Sequence, residues 1–415
     1  MESISLTTAP SRQFGPVRAR LSQPTAFAAL AAIFVVFTAA SAVPSPLYVV
    51  YQEAWDFSAT ALTFVFAIYV VGLLGSLLVV GALSDHIGRR PVLAGAIGLE
   101  TVALIFFITA GDLATLSVAR VLQGIATGAA MTTLGASLVD LNPPHAPGRA
   151  GLISGVAPLG GLTIGALGCG ALVQYAPAPT HLVFALLLAG MAAAAVIVYF
   201  MPETSSRRPG IRASLRPRVG MPERIRPQVY ALVPILASSW ALGGIYLSLG
   251  PSVAIEVFGV ASHLVGGFVV ALLCGTGALT AFQLRDWQLT RALNLAAKLL
   301  TVGLVVTLAG VEFDLALVAL VGTIVAGVGF GAAALGAFGT LADLADPDER
   351  GELFAVAFVI SYVAFSVPAV IAGFVSGTSF GLRSTALVYG VGVAVLAVIA
   401  LVTQRRINRR AGVTG

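Results

Sequence analysis

Charged side chains are scarce in this sequence. Asp, Glu, Lys and Arg make up 10% of the 415 residues, and Lys298 is the only lysine. A phosphate-binding P-loop needs a Gly-Lys pair, whereas Lys298 follows Ala297, so ATP hydrolysis by that route is excluded. Soluble domains of this length carry far more charge, and their apolar runs are shorter.

Residues that bind metals or act as nucleophiles are also few. The two cysteines, Cys169 and Cys274, and the four histidines are scattered without the spacing of a metal site. No nucleophile, base and orienting acid form a recognisable cluster. We therefore expect no metal, no cofactor, no structural disulfide and no catalytic residue, and we predict that the protein is not an enzyme.

Hydrophobic residues make up 58% of the chain, and its mean hydropathy is +0.97. Apolar runs of about 20 residues follow one another, which is the length that a helix needs to cross a bilayer core of about 30 Å. The sequence predicts an all-α membrane protein with twelve spans. They lie near residues 25–49, 60–83, 91–109, 113–139, 150–174, 180–201, 230–255, 264–284, 292–310, 313–339, 353–375 and 381–403.

The spans fall into two groups of six. Residues 202–229, rich in Pro and Arg, read as a solvated cytoplasmic linker. It joins an N-terminal six-helix bundle (25–201) to a C-terminal one (230–403), with cytoplasmic tails at 1–24 and 404–415. Ala40-Ser41-Ala42 resembles a signal-peptide cleavage site, but cleavage would leave eleven spans and misplace the cationic loops.

The positions of the cations predict the orientation. All but three of the 23 Lys and Arg residues lie in the tails, the linker and the loops after spans 2, 4, 8 and 10. The positive-inside rule therefore places both termini and the linker in the cytoplasm. Topology accounts for the basic pI, so we expect no nucleic-acid partner. The short loops favour a bacterial inner membrane, and we expect a multi-pass monomer with lipid and a small-molecule substrate as its partners.

The two halves resemble each other in sequence. Several residues of span 4 recur in span 10 at a constant offset of 203, and the loop after span 2 recurs after span 8 at an offset of 201. The pairs include Gly124/Gly327, Gly128/Gly331, Asp140/Asp343, Asp85/Asp286 and Arg90/Arg291. Duplicated six-helix units are typical of transporters that work by alternating access.

Two motifs carry a family resemblance. Gly81-Ala-Leu-Ser-Asp-His-Ile-Gly-Arg-Arg90 resembles the loop between spans 2 and 3 of the major facilitator superfamily, G-x-x-x-D-x-x-G-R-[RK]. Arg120-Val-Leu-Gln-Gly124 looks like the family's motif in span 4. The span 5 motif of drug/proton antiporters is met only in part, because Ala166 stands where Pro is expected. Within this family the chain resembles bacterial twelve-span drug/metabolite:proton antiporters. The resemblance implies two pseudo-symmetric six-helix bundles.

The first motif suggests a gate at the cytoplasmic side. We expect Asp85 to accept hydrogen bonds from Arg89 and from neighbouring helix N-termini, and so to hold that side closed in the outward-open state. Gly81 would allow close helix approach and Gly88 a tight turn. The alternative is a solvated cationic loop whose only role is to set the membrane topology. The gating motif comprises Gly81, Asp85, Gly88, Arg89 and Arg90, with Asp140 and Asp343 bracing the ends of spans 4 and 10.

Two deep charges suggest proton coupling. Arg120 lies about 10 Å inside span 4, at the helical rise of 1.5 Å per residue, and similar transporters use this arginine in coupling. Glu100 lies at a similar depth in span 3, where a neutral, proton-carrying acid is favoured by the low dielectric constant. An ion pair between them is possible. Structural readings remain open for both: a snorkelling Arg120, and a Glu100 that only bonds a neighbouring helix.

Aromatic and soft midspan residues suggest the substrate cavity. Met131, Trp240, Tyr246 and Tyr362 suit an amphipathic organic molecule, although packing between helices explains them equally well. We predict a secondary transporter that moves such a molecule across the membrane by alternating access, as proton-coupled efflux. The alternatives are a proton-coupled importer of a sugar or other metabolite, and a receptor or scaffold that no longer transports.

The orientation is testable by labelling. A cysteine placed at Ser205 or Ser214 in the linker should react with a membrane-impermeant thiol reagent only after the cytoplasmic side has been opened. Labelling from outside intact cells would contradict the orientation.

Overall fold

The computed structural model describes residues 20–143, 146, 148–205, 209–211, 220–260, 262–346 and 349–410. The N-terminal tail up to residue 19, most of the linker including Ser214, and residues 411–415 lie outside the described residues. The predicted roles of these segments as cytoplasmic tails and linker stay predictions.

Twelve helical segments in the described part of the chain are long and apolar enough to cross a membrane. This confirms the predicted all-α, twelve-span class, and most boundaries agree within about four residues. The helices of the N-terminal half are Gln23–Ala42 and Pro44–Trp55 (span 1), Ala59–Val80, the short Leu83–Ile87 in the loop after span 2, Arg89–Thr109, Leu113–Asp140, Arg149–Tyr175 and Pro179–Phe200. Those of the C-terminal half are Arg226–Ser248 and Gly250–Glu256 (span 7), His263–Gln283, Leu289–Glu312, Ala316–Leu344, Arg350–Ser376 and Gly381–Arg410.

Prolines break spans 1 and 7 at matching places. Pro44 begins the second helix of span 1, and Pro251 lies in the first turn of the second helix of span 7. Because proline has no N–H, the carbonyl four residues earlier loses its helical donor. Side chains replace both donors: Gln123 donates to the Ala40 carbonyl (3.1 Å), and Ser45 donates to the Leu247 carbonyl (2.6 Å).

Glycines bring spans 2 and 4 into close contact. A Cβ atom on Gly124 would overlap the backbone of Tyr69, and one on Gly128 would overlap the carbonyl of Leu73. The repeated pair Gly327 and Gly331 packs span 10 against span 8 in the same way. Close helix contacts at small residues are therefore present in both halves.

The helix bundle has two ends, which we name by the linker. The linker face carries the loops after spans 2, 4, 8 and 10 together with the linker, and the opposite face carries the remaining loops. At the opposite face the two halves are tied together. Ser45 bonds to the Leu247 carbonyl, Thr60 donates to the Gly373 carbonyl (3.3 Å), and Gly170 packs closely against Gly267.

The contact between spans 2 and 4 can be tested with single methyl groups. We expect Gly124→Ala to lower the free energy of unfolding by about 1–3 kcal/mol, because the added Cβ overpacks a rigid backbone contact. Gly75→Ala on span 2 is the matched control, since a Cβ there meets no atom within 4 Å. Thermal melting of both purified variants checks this, and equal melting temperatures would contradict it.

Candidate functional site

A cavity of about 1040 Å³ lies between the two halves. It is lined by spans 1, 2, 4 and 5 of the N-terminal half and by spans 7, 8, 10 and 11 of the C-terminal half. It extends from Arg120 at mid-bundle to Arg149, Arg285 and Phe354 at the linker face. Since the opposite face is tied shut, the protein has the shape of a transporter open toward the linker face.

One wall of the cavity is aromatic. Trp240 packs edge-on against Tyr362, with ring centroids 4.7 Å apart. Phe365 reaches across to Phe66 of span 2 at 5.0 Å. Further phenylalanines complete the wall, namely Phe330, Phe338, Phe354 and Phe358. The rings of 354, 358, 362 and 365 recur at helical spacing, a signal in span 11 that could have identified this face from the sequence.

Three of the four residues predicted for the cavity line it. Met131, Trp240 and Tyr362 are lining residues. Tyr246 is not: it is buried in the core of the C-terminal half, and its hydroxyl lies 2.6 Å from Thr323 Oγ1. Its prediction as a cavity residue is wrong, because depth along span 7 was known but the direction of the side chain was not.

Arg120 lies in the cavity wall although it is only 2% exposed. Its Nη1 donates to Gln123 Oε1 at 2.6 Å and lies 3.5 Å from the carbonyl oxygen of Ser41. The guanidinium carbon lies 4.1 Å from the centre of the Tyr69 ring, a cation–π contact. Nε is buried without a hydrogen-bond partner. Arg120 therefore points inward and does not snorkel.

Gln123 connects Arg120 to Glu100. Its Nε2 donates to Glu100 Oε1 at 3.1 Å, and both side chains are fully buried. Arg120 and Glu100 form no direct ion pair in the described structure, because the amide lies between the two charges. Arginine has donors only, so the Gln123 oxygen must face Arg120 and its NH₂ must face Glu100. Glu100 Oε1 is thus always an acceptor, and a proton on this acid belongs on Oε2, which has no partner.

Hydroxyl groups border the same part of the cavity. Tyr69 donates to Ser41 Oγ at 3.0 Å, and Ser41 Oγ lies 3.5 Å from Thr127 Oγ1. All three line the cavity beside Arg120. Sequence reasoning missed this group and the bridging role of Gln123, because short polar residues in a span are common packing elements.

Arg89 is the centre of the gating motif in the structure. Its Nη1 lies 2.6 Å from Asp85 Oδ1, its Nε lies 3.2 Å from Asp140 Oδ2, and Nη1 also donates to Ser84. The predicted contact between Arg89 and Asp85 is present. It forms while the linker face is open and stays within the N-terminal half, so it does not by itself close that face. The closing role of Asp85 stays a prediction.

A residue that the sequence analysis missed caps span 3. Glu203 accepts hydrogen bonds from the backbone N–H groups of Arg89 (2.8 Å) and Arg90 (3.2 Å), where a carboxylate complements the helix dipole. The contact with a helix N-terminus that the sequence predicts for Asp85 is formed by Glu203 instead. An acid directly after span 6, in a linker that carries seven arginines, was the available signal.

The remaining members of the motif act locally. Arg90 donates to the carbonyls of Val198 and Tyr199 at the end of span 6, as a cation at a helix C-terminus does. Gly88 has φ +110° and provides the predicted turn. Gly81 was expected to allow close approach of another helix, but its nearest obstacle is the Leu77 carbonyl of its own chain segment.

In the described part of the C-terminal half, the counterparts of the acids around Arg89 form no such cluster, and an ionic cluster instead joins Arg224 to Asp346 and Glu349. Asp343, the counterpart of Asp140, is exposed and forms no ion pair with any residue that the structure describes. Asp286, the counterpart of Asp85, pairs only with its neighbour Arg285 at 3.3 Å in the described chain. The sequence repeat therefore predicts the positions of these acids and not their contacts.

A twelve-span bundle with a large cavity between its halves has the architecture of a secondary transporter. The model of the Major Facilitator Superfamily matches residues 26–367, so the chain belongs to this superfamily. A segment of 103 residues, a quarter of this chain, is 33% identical to the MFS-type transporter paaT of Penicillium rubens. That segment spans 19% of the fungal protein.

Solved structures share the fold at low sequence identity. A D-xylose-proton symporter superposes with a TM-score of 0.74 at 14% identity, covering 92% of this chain and 97% of that one. The human organic anion transporter MFSD10 gives 0.66 at 20% identity, covering 94% and 100%. A bacterial homologue of the human lysosomal transporter Spinster, in an inward-facing conformation, gives 0.69 at 13% identity, covering 94% and 98%. These likenesses establish the fold.

The asymmetry between the halves can be tested with a matched pair. We expect Asp140→Asn to lower the free energy of unfolding by about 1–2 kcal/mol, because Arg89 and Thr204 lose a charged acceptor. Its counterpart Asp343→Asn should stay within about 0.5 kcal/mol of wild type, because Asp343 forms no ion pair with any residue that the structure describes. Thermal melting in detergent measures both, and equal losses would refute the asymmetry.

Proposed function

We propose that this protein is a proton-coupled efflux transporter of small amphipathic organic molecules. The observation that carries the proposal is the large aromatic cavity bordered by the buried Arg120–Gln123–Glu100 network. An aromatic wall beside a few polar groups suits a ligand with an apolar body and one polar end.

The lining argues against a sugar as substrate. Sugars present many hydroxyl groups, each of which needs a hydrogen-bond partner once it leaves water. The polar side chains around the centre of the cavity are mainly hydroxyls of Thr38, Ser41 and Thr127, which already bond to the backbone, to Tyr69 or to each other. The likeness to a xylose symporter is one of fold and gives no support for this substrate.

The network supports proton coupling through Glu100. An ionised carboxylate with one bare oxygen inside the protein is costly, and the neutral acid is cheaper. Arg120 stabilises the ionised form through the Gln123 amide. A movement of Arg120 that breaks its bond to Gln123 would therefore favour proton uptake on Oε2. Because Arg120 also lines the cavity, a substrate that enters from the linker face and holds Arg120 in this bond would favour proton release from Glu100. Departure of the substrate at the opposite face would let Arg120 move and a proton bind, which is the exchange that efflux requires.

The proposed direction rests on charge distribution and shape. If the linker face is cytoplasmic, as the cationic loops indicate, the cavity is open to the cytoplasm and closed at the opposite face by the Ser45, Thr60 and Gly170 contacts. This conformation loads a substrate for export. The location in an inner membrane and the cytoplasmic termini belong to the same proposal.

Transport by reconstituted protein tests the proposal. We suggest proteoliposomes with an acidic lumen, selected for protein whose linker face points outward, and three probes with one apolar body: 4-phenylbutyrate, 4-phenylbutanamide and 4-phenylbutylamine. We expect at least one probe to accumulate above the level in protein-free liposomes, and a protonophore to abolish that accumulation. The absence of gradient-driven accumulation for all three would contradict the proposal.

Glu100→Gln separates coupling from binding. The amide keeps the shape of the acid and cannot exchange its proton, so we expect gradient-driven accumulation to be lost while exchange of labelled for unlabelled probe persists. Arg120→Ala should be at least as damaging, since it removes the partner of Gln123. Glu53→Gln is the matched control, because Glu53 is exposed near the opposite face. Normal accumulation by Glu100→Gln would refute coupling through this acid.

A further inference from the structure

We propose that the substrate is an organic monoanion whose carboxylate, or an equivalent acidic group, binds Arg120 while its apolar body lies against the aromatic wall. This inference rests on the proposed transport function and specifies its substrate class. It assigns a ligand to the charge at the inner end of the cavity.

The charge of Arg120 is only partly compensated in the structure. Its direct hydrogen-bond partners are the neutral Gln123 amide and the Ser41 carbonyl, and both contacts use Nη1. Glu100 stands one residue further away, behind Gln123. Because Nε has no partner and the partners of Nη1 are neutral, this buried guanidinium needs a further acceptor. A bound carboxylate supplies two acceptor oxygens in the geometry that arginine prefers.

The access route favours anions as well. Arg149 and Arg285 line the cavity toward the linker face. Asp286 is the only carboxylate among the described lining residues, and it is paired with Arg285 at 3.3 Å. The cavity therefore has an excess of positive charge at its mouth and at its inner end, and this field attracts anions and repels cations.

The aromatic wall determines the chemistry of the ligand beyond its acidic group. Trp240, Tyr362 and Phe365 offer edges and faces to a ring or chain, and stacking adds to the burial of apolar area. Only one cation lies deep in the cavity, so a second anionic group would be buried without a partner. A monoanion with an apolar body fits this arrangement, and a sugar phosphate does not.

Binding to the purified protein in detergent tests the inference without a proton gradient. Trp240 is one of three tryptophans, so a Trp55→Phe/Trp287→Phe background makes its fluorescence a reporter of the cavity. The probes are 4-phenylbutyrate, 4-phenylbutanamide and 4-phenylbutylamine, which differ in charge and share a body. We expect the anion to bind about tenfold or more tightly than the amide, given the strength of hydrogen bonds to charged groups, and the amine to bind most weakly.

Substitutions then locate the preference. Arg120→Gln should bring the anion and the amide to equal affinity, and Arg120→Lys should keep part of the difference. Arg149→Gln is the comparison at the mouth, where water and salt screen the charge, so it should reduce the preference less than Arg120→Gln and mainly at low ionic strength. If Arg120→Gln fails to fold, the comparison of probes on the parent protein still decides the question.

Three outcomes would overturn the inference. They are binding of the anion that is equal to or weaker than that of the amide, a preference for the anion that survives Arg120→Gln, and no change in Trp240 fluorescence with any probe. These results are distinct from failure of the proposed transport function, which appears as lost gradient-driven accumulation in proteoliposomes. A protein that transports the amine or the amide would keep the transport proposal and lose this one.

Discussion

The burial of one guanidinium in the middle of a membrane-embedded bundle is the constraint on which the rest of the site depends. A charge in a medium of low dielectric constant must be compensated by fixed dipoles or opposite charge. Around Arg120 this compensation comes from a buried amide, a backbone carbonyl and an aromatic face. The groups that surround it are therefore fixed in type and orientation, and Glu100 follows as the acid on the far side of the amide.

The break in span 1 is part of the same constraint. Pro44 removes the helical donor of the Ala40 carbonyl, and Gln123 fills that position while it bonds to Glu100 with the same NH₂ group. Pro251 frees the Leu247 carbonyl in the corresponding place of the other half, where Ser45 uses it to tie the opposite face. A proline that frees a backbone carbonyl thus has two uses. In span 1 the freed carbonyl positions Gln123 of the buried network, and in span 7 it forms a contact between the halves.

The two halves share a fold but contribute different groups to the cavity. The N-terminal half holds the buried charges and the ionic cluster around Arg89, and the C-terminal half provides most of the aromatic wall. The cavity is lined by both halves, so in the proposed transport cycle a substrate contacts both and can couple a change at Arg120 to movement of the helices around it. In that proposal only the N-terminal half needs to change its charge state.

The sequence by itself determined the properties that depend on composition and spacing. Runs of about 20 apolar residues fixed twelve spans, since a bilayer core has one thickness and a helix one rise per residue. The loop motif at Asp85 predicted the family, and the glycine pairs of spans 4 and 10 indicated that the two halves share one fold. Depth along a span followed from the same arithmetic, which brought Arg120 and Glu100 to one level.

Tertiary structure decided what depends on rotation about each helix axis and on contacts between distant segments. Tyr246 and Trp240 lie in the same span, and only the facing of the side chain separates a core residue from a cavity residue. The Gln123 amide joins span 4 to Glu100 of span 3, and Glu203 caps span 3 from the segment after span 6. Asp343 forms no ion pair with any described residue. Each of these outcomes depends on segments that are distant in sequence. In a span that is apolar on every side, hydrophobic periodicity is too weak to fix that rotation, and the packing of neighbouring helices sets it.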